Sequence, residues 1–148
     1  MLNRLALLFC VIIAFTGCSS FKKHSQVSES EAIEFEKNIG DRVYFALDKH
    51  QLSQEAIEQL DRQIAWLNAG TRSKILILVE GHCDDRGTRE YNLALGEKRA
   101  YAVKSYLIAQ GVDASRIEIT SYGKEKPAVL GDTEEAYRLN RRAVTVVK

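Results

Sequence analysis

Glu80–Ala100 reads EGHCDDRGTREYNLALGEKRA, and this stretch decides the fold of the chain. The apolar run that leads into it, Lys74–Glu80 (KILILVE), predicts a β-strand. Gly81 and Gly87 then give the backbone the freedom that a sharp turn needs. After the turn the apolar residues recur with a helical period. The sequence therefore predicts a strand, a tight acidic turn and a helix, with Asp84 at the carboxyl end of the strand.

Two neighbouring stripes of the predicted helix have different surroundings. The buried stripe consists of Leu93, Ala100, Val103 and Leu107, with Gly96 allowing close approach to the sheet. The other stripe faces the turn and carries Asn92, Leu95 and Arg99. Asp84 and Arg99 then bracket one small cavity, which offers an acceptor for an ammonium group and a planar fork for a carboxylate. The guest that this pair favours is a zwitterion, as an amino acid is.

The same residues have a simpler interpretation, which stays open at this point. Asp84 or Asp85 could satisfy the free N–H groups at the start of the helix. Arg99 could be a solvated arginine that pairs with Asp84.

The remaining pattern predicts one α+β domain with no internal repeat. The further elements are a strand at Asp41–Ala46, a helix that opens at Ser53 and buries Ile57, Leu60, Ile64 and Leu67, strands at Arg116–Ser121 and Arg142–Val147, and a helical turn at Glu134–Leu139. Trp66 is expected in part of the core. The order β-α-β-α-β-β predicts a two-layer sandwich, in which a mixed four-stranded sheet carries two main helices on one face.

The first residues of the chain predict a lipoprotein signal peptide. Arg4 precedes the apolar run Leu5–Phe15, which is too short to span a bilayer, and small residues then precede Cys18. We expect residues 1–17 to be cleaved and Cys18 to be lipidated. Residues 18–38 are then a flexible tether, and residues 39–148 form the domain. An ordinary secretory signal without lipid is the alternative.

Charge and cysteine content restrict the function further. The chain has 148 residues and a formal net charge of +1, and the signal peptide carries only Arg4, so 20 basic and 20 acidic residues remain after cleavage. This balance argues against a nucleic-acid partner. Once Cys10 is removed and Cys18 is lipidated, Cys83 is the remaining thiol. We expect a buried small residue there, and the alternative is a disulfide-linked dimer or a redox-sensitive site.

An enzyme is the rival class, because His82 and Cys83 are adjacent to two aspartates. Neighbouring residues of a strand point to opposite faces, however, so these two side chains do not form a catalytic dyad. Zinc needs three or four ligands, and the other histidines are His24 in the tether and His50 in a loop. We therefore expect no catalytic residue, no metal and no cofactor.

The stretch around Asp84 resembles the signature of the OmpA C-terminal-like peptidoglycan-binding domain. The matching positions are Gly81, Asp84, Gly87, Thr88, Tyr91, Asn92, Arg99 and Ala100. Three further blocks match in the family's order, namely Val43–Asp48, Ser121–Ala128 and Asn140–Val144, so the resemblance covers about residues 40 to 148. Within the family the chain is most similar to the peptidoglycan-associated lipoproteins, the Pal group of the Tol–Pal system.

This resemblance implies a ligand and a role for each site residue. The ligand is the meso-diaminopimelate residue of the peptidoglycan stem peptide. Asp84 and Asp48 would take its ammonium and Arg99 its carboxylate. Asn92 would bind the ligand or orient its neighbours, and the aliphatic chain would be lined by Leu47 and Leu95. We expect Asp84→Ala and Arg99→Ala each to abolish binding without unfolding the domain.

The resemblance also implies a place in the cell. The chain would be a non-enzymatic lipoprotein of the outer membrane, anchored by its N-terminal lipid, with its domain in the periplasm. It would tether that membrane to peptidoglycan and support envelope integrity and cell division, with TolB and other Tol proteins as partners. The alternative is an OmpA-like lipoprotein that acts mainly as a scaffold for envelope proteins.

Overall fold

The computed structural model describes residues 27–148. The predicted signal peptide, Cys18 and the first part of the tether therefore lie outside the described residues. Within 27–148, every helix is too short or too polar to cross a membrane.

In the described part of the chain, four strands form one mixed sheet, as the sequence predicts. They are β1 (Arg42–Tyr44), β2 (Ile77–His82), β3 (Ile117–Gly123) and β4 (Arg142–Val147), arranged in the order β1-β4-β2-β3. β4 is antiparallel to both β1 and β2, whereas β2 and β3 are parallel. A parallel pair needs a crossover connection, and a helix supplies it here.

The helices of the described part are α1 (Glu29–Glu34), α2 (Gln54–Leu67), α3 (Arg89–Ala109) and α4 (Glu134–Asn140). The side chains of Ser53 and Thr88 cap α2 and α3 by accepting a main-chain N–H of the first turn. α2 and α3 pack on one face of the sheet, and their buried residues join those of the strands in a single core. The predicted α+β architecture is confirmed.

One predicted strand starts later than expected. The run Lys74–Glu80 enters the sheet only at Ile77 and continues to His82, because Gly70–Lys74 forms a 3₁₀ turn. The guanidinium group of Arg116 donates to three main-chain carbonyls around that turn. These carbonyls are therefore bonded to a side chain rather than to a neighbouring strand.

The packed domain begins before residue 39, so the predicted boundary between tether and domain was wrong. After α1, Phe35–Gly40 forms one π-helical turn. Phe35 is 1% exposed, and its ring lies 4.9 Å from that of Trp66, which is itself buried. Val27 and Ile39 also pack against the core, and Gln59 donates to the carbonyls of Ile39 and Gly40.

A contact between two glycines brings α3 against β2. A Cβ atom on Gly81 would lie 1.8 Å from the carbonyl oxygen of Gly96, and one on Gly96 would lie 2.3 Å from Oγ of Ser121. The position of Gly81 therefore cannot carry a side chain, and a side chain at Gly96 would displace the Ser121 hydroxyl from the Leu93 carbonyl, to which it donates at 2.7 Å. The close approach that Gly96 predicted is confirmed, and it fixes the start of α3 beside the end of β2, where the predicted site lies.

Candidate functional site

A cavity of about 340 Å³ lies at the end of the sheet where β1 and β2 finish and β4 begins. All six sequence-predicted residues line it: Leu47, Asp48, Asp84, Asn92, Leu95 and Arg99. The structure adds five more, which are Cys83, Arg86, Gly87, Tyr91 and Arg141. Residues more than ninety positions apart in the sequence thus share one cavity, with charges of both signs on its walls.

Asp84 does not cap a helix, so that simpler interpretation of Asp84 was wrong. The cap of α3 is Thr88, whose hydroxyl accepts the N–H of Tyr91. Asp84 is buried four residues before that cap, and its carboxylate accepts the main-chain N–H of Arg86 within the turn. Asp85, the other candidate, is exposed.

Arg99 is fully buried and does not pair with Asp84, so the solvated-arginine interpretation was also wrong. Its guanidinium donates to the carbonyls of Lys49 (2.9 Å), His82 (2.8 Å) and Ala46 (3.2 Å). Burial lowers the pKa of this group from its ordinary value, yet an arginine remains charged. Three of the five N–H donors of the guanidinium are bonded to main-chain carbonyls in this way, and the other two make no hydrogen bond to a carbonyl within residues 27–148. The guanidinium also lies within hydrogen-bonding reach of the Cys83 thiol.

Asn92 and Leu95 stand on the same face of α3 as Arg99. The side-chain amide of Asn92 donates to the carbonyls of Arg86 (2.7 Å) and Thr88 (3.0 Å). It therefore fixes the loop after β2, which corresponds to the orienting role among the two expected for it. Leu95 is buried and lines the apolar part of the wall.

Leu47 and Asp48 reach the cavity from the loop after β1, and both are exposed. Asp48 has a φ of 56°, the one positive value of a non-glycine residue within 27–148. Aspartate tolerates this left-handed conformation better than most residues do. The Tyr91 hydroxyl lies 3.4 Å from the Asp48 carboxylate across the rim. The structure thus brings Asp48 to the same cavity as Asp84, as expected.

Two arginines that sequence reasoning gave no role hold the Asp84 carboxylate. Arg86 approaches it with Nη2 at 2.6 Å and Nε at 3.2 Å, and Nη1 of Arg141 lies at 3.4 Å. Burial acts to raise the pKa of Asp84, but the hydrogen bonds and charges of these arginines outweigh it and hold that pKa below its ordinary value. Asp84 is therefore an ionised group with cations already beside it.

Arg141 also connects residues on different sides of the cavity. It donates to the Phe45 carbonyl at 3.0 Å and to the Glu134 carboxylate at 2.8 Å. The one sequence signal for this residue was its place in the block Asn140–Val144. Its pairing with Asp84 spans 57 residues, a separation that no local periodicity reports.

His82 and Cys83 point away from each other, as the strand geometry predicts. Cys83 lines the cavity with its Sγ 3.3 Å from the Asn92 carbonyl, whereas the His82 ring lies on the other side of the sheet, 5.5 Å from the ring of Tyr122. Cys83 is 3% exposed, and burial raises the pKa of its thiol to about 11. These properties favour a buried small residue over a redox site.

Known proteins resemble the chain over nearly its whole length. The sequence profile of the OmpA family matches residues 44–141. The chain is 42% identical to the peptidoglycan-associated lipoprotein of Pasteurella multocida, over 97% of this chain and 96% of that protein. It is 38% identical to the lipoprotein of the same name from Mesorhizobium japonicum, over 98% and 92% of the two chains.

Solved structures also resemble the chain. The crystal structure of the peptidoglycan-associated lipoprotein from Burkholderia pseudomallei matches with a TM-score of 0.72 and 36% identity, over 79% of this chain and 99% of that one. The C-terminal domain of Helicobacter pylori MotB shares the fold, with a TM-score of 0.66 at 24% identity over 73% of this chain and 84% of that one. From the profile match and these relatives, the chain belongs to the OmpA family.

Proposed function

We propose that the chain is a peptidoglycan-binding lipoprotein of the cell envelope and that it captures the meso-diaminopimelate residue of the stem peptide. The coarser part of this proposal is supported by the names of its relatives and by its family. The finer part is supported by one observation, a cavity whose walls carry two carboxylates and a buried arginine.

The chemistry of the ligand matches that cavity. The free D-centre of diaminopimelate carries an ammonium and a carboxylate on the same carbon atom. Asp84 and Asp48 take the ammonium, and Arg99 donates its two remaining N–H groups to the carboxylate. Leu47 and Leu95 contact the aliphatic chain between the two ends of the ligand. Nothing in this arrangement needs a nucleophile or a proton transfer, which agrees with a binding protein rather than an enzyme.

The proposal includes the attachment of the chain to the envelope. Lipid on Cys18 anchors it in the outer membrane with its domain in the periplasm, and wall binding by the domain holds that membrane to the peptidoglycan. TolB and other Tol proteins are its proposed protein partners, in support of envelope integrity and cell division. Palmitate labelling of the full chain and of its Cys18→Ser variant tests the anchor, and co-purification with TolB tests the partner.

A titration tests the ligand. Residues 27–148 contain one core, and the solved chain of the Burkholderia pseudomallei relative is matched over 99% of its length by 79% of this chain, so this part is titrated by calorimetry. Muropeptide with meso-diaminopimelate should bind saturably. Muropeptide with lysine should not bind, because it lacks the second carboxylate.

Asp84→Asn is the informative variant, since it keeps the shape of the side chain and removes its charge. Loss of one partner from a desolvated charge pair costs about 2 to 5 kcal/mol, so its affinity should fall at least about 30-fold. Asp85→Asn is the matched control, because Asp85 is exposed and does not line the cavity. Equal binding by the two variants would show that Asp84 does not bind the ligand. Absence of binding to either muropeptide would favour the scaffold alternative.

A further inference from the structure

The Asp84 carboxylate is already occupied by a cation of the protein itself. Arg86 contacts both of its oxygens, with Nη2 at 2.6 Å from one and Nε at 3.2 Å from the other. An incoming ammonium group needs the same oxygens. The two cations compete for one acceptor, because a carboxylate held by a two-pronged arginine has few directions left for another donor.

Of the two arginines beside Asp84, only Arg86 is in a position to leave. Its side chain is 38% exposed, whereas those of Arg141 and Asp84 are 7% and 6% exposed. Its guanidinium lies 4.2 Å from the ring centre of Tyr137, and Nη1 lies 3.8 Å from the carboxylate of Glu134. Glu134 thus offers Arg86 a second acid close by, so that release from Asp84 does not leave Arg86 without a carboxylate partner.

If Arg86 moves away, the cavity walls also lose their excess of positive charge. Five charged residues line the cavity, three arginines and two aspartates. Without Arg86 the remaining two arginines balance the two aspartates. A balanced set of two cations and two anions complements the two opposite charges of a zwitterionic centre, whereas the resting set has one cation too many.

We propose that Arg86 is an internal latch: its guanidinium takes the place of the ligand's ammonium on Asp84 and swings towards Glu134 when the ligand enters. This inference rests on the function proposed above. It predicts that Arg86 lowers the affinity of the cavity for its ligand, although it is a charged residue on the cavity wall. A residue that binds the ligand directly would raise that affinity instead, so the sign of the effect separates the two roles.

The test compares the affinities of three variants for the diaminopimelate muropeptide. Arg86→Gln should bind about tenfold more tightly than the parent protein, since the ion pair and the stacking that hold the latch are weak, part-exposed interactions. Tyr137→Leu removes the ring under the guanidinium and leaves the cavity wall intact, and it should bind about threefold more tightly. Arg89→Gln is the control for lost positive charge, because Arg89 is exposed and pairs with Glu125 outside the cavity.

A second measurement judges the resting pair without any ligand. The pKa of Asp84, followed by the NMR shift of its carboxyl carbon, should rise in Arg86→Gln and stay unchanged in Arg89→Gln. An unchanged pKa in Arg86→Gln would overturn the latch, and so would weaker binding by that variant. If the parent protein binds no muropeptide, the proposed function is wrong. The proposal that Arg86 regulates ligand binding is then wrong as well. The pKa result would then show separately whether the resting pair exists.

Discussion

Arg99 joins the loop after β1 to the end of β2 through three main-chain carbonyls, and this makes it a structural residue as well as a candidate ligand contact. We predict that Arg99→Ala lowers the free energy of unfolding by about 3 kcal/mol, because buried carbonyls lose a charged donor. Urea denaturation measures this loss of unfolding free energy. The variant is expected to stay folded, as predicted from the sequence, but to be less stable than the parent protein.

The control for Arg99 is Arg89→Ala, since Arg89 is an exposed arginine of the same helix. Its unfolding free energy should stay within about 0.5 kcal/mol of the parent value. A similarly small change in Arg99→Ala would show that water replaces the guanidinium at all three carbonyls.

His82 is a buried histidine whose two ring nitrogens have no hydrogen-bond partner within residues 27–148. Burial and the charges of Arg142, Lys126 and Arg42 lower its pKa to about 4, although a main-chain contact with Lys126 acts in the opposite direction. The unfolded chain, with a pKa near 6.5, therefore binds more protons than the folded one between these values.

The consequence is a stability that falls as the pH falls. The contribution of His82 to the free energy of unfolding is fully present above about pH 6.5. It is lost as the pH falls towards 4, by about 3 kcal/mol in all. Urea denaturation at pH 7, 6, 5 and 4.5 measures the loss. In His82→Gln the free energy of unfolding should change much less over that range. Parallel curves for the two proteins would mean that other groups cause the pH dependence.

At the scale of elements, the contact between β2 and α3 determines where the cavity lies. We predict that Gly96→Ala lowers the melting temperature by more than about 10 °C, because its new Cβ would lie 2.3 Å from Oγ of Ser121 and 3.0 Å from a main-chain oxygen. Ala94→Ser, on the exposed side of the same helix, should melt within about 2 °C of the parent protein. A mild effect of Gly96→Ala would mean that the Ser121 hydroxyl can turn away or that the helix can shift along the sheet.

The same elements show what the sequence could and could not predict. The helical period after Glu90 and the cap at Ser53 report local physics, so the two main helices and the face of α3 that lines the cavity could be predicted. The role of Arg86 as a latch could not be predicted from the sequence. Arg86 is two residues from Asp84, but its second support, Tyr137, comes from a helix near the other end of the chain. Spacing along one element carries no information about such a pair.

At the scale of the whole molecule, the core extends to residues that composition alone had placed in the tether. We predict that residues 39–148 are less stable than residues 27–148 by about 3 kcal/mol or more, because removal of Phe35 exposes its partner Trp66. Within the longer protein Phe35→Ala should reproduce most of that loss. Ile33→Ala, at a side chain that is 45% exposed, should not. Equal stability of the two lengths would mean that the contact between Phe35 and Trp66 does not stabilise the domain.

The N-terminal segment and the cavity lie at opposite ends of the sheet. Phe35 and Glu36 border the last residues of β4, whereas the cavity begins at Arg141, just before that strand starts. In the proposed tether, tension would enter at one end and leave at the other, in line with the strands. Antiparallel hydrogen bonds run across the strands, so such a pull shears the rungs between β1 and β4 together instead of peeling them off in turn. The fold is thus loaded in its mechanically stronger direction, and we expect the ligand to detach before the domain unfolds.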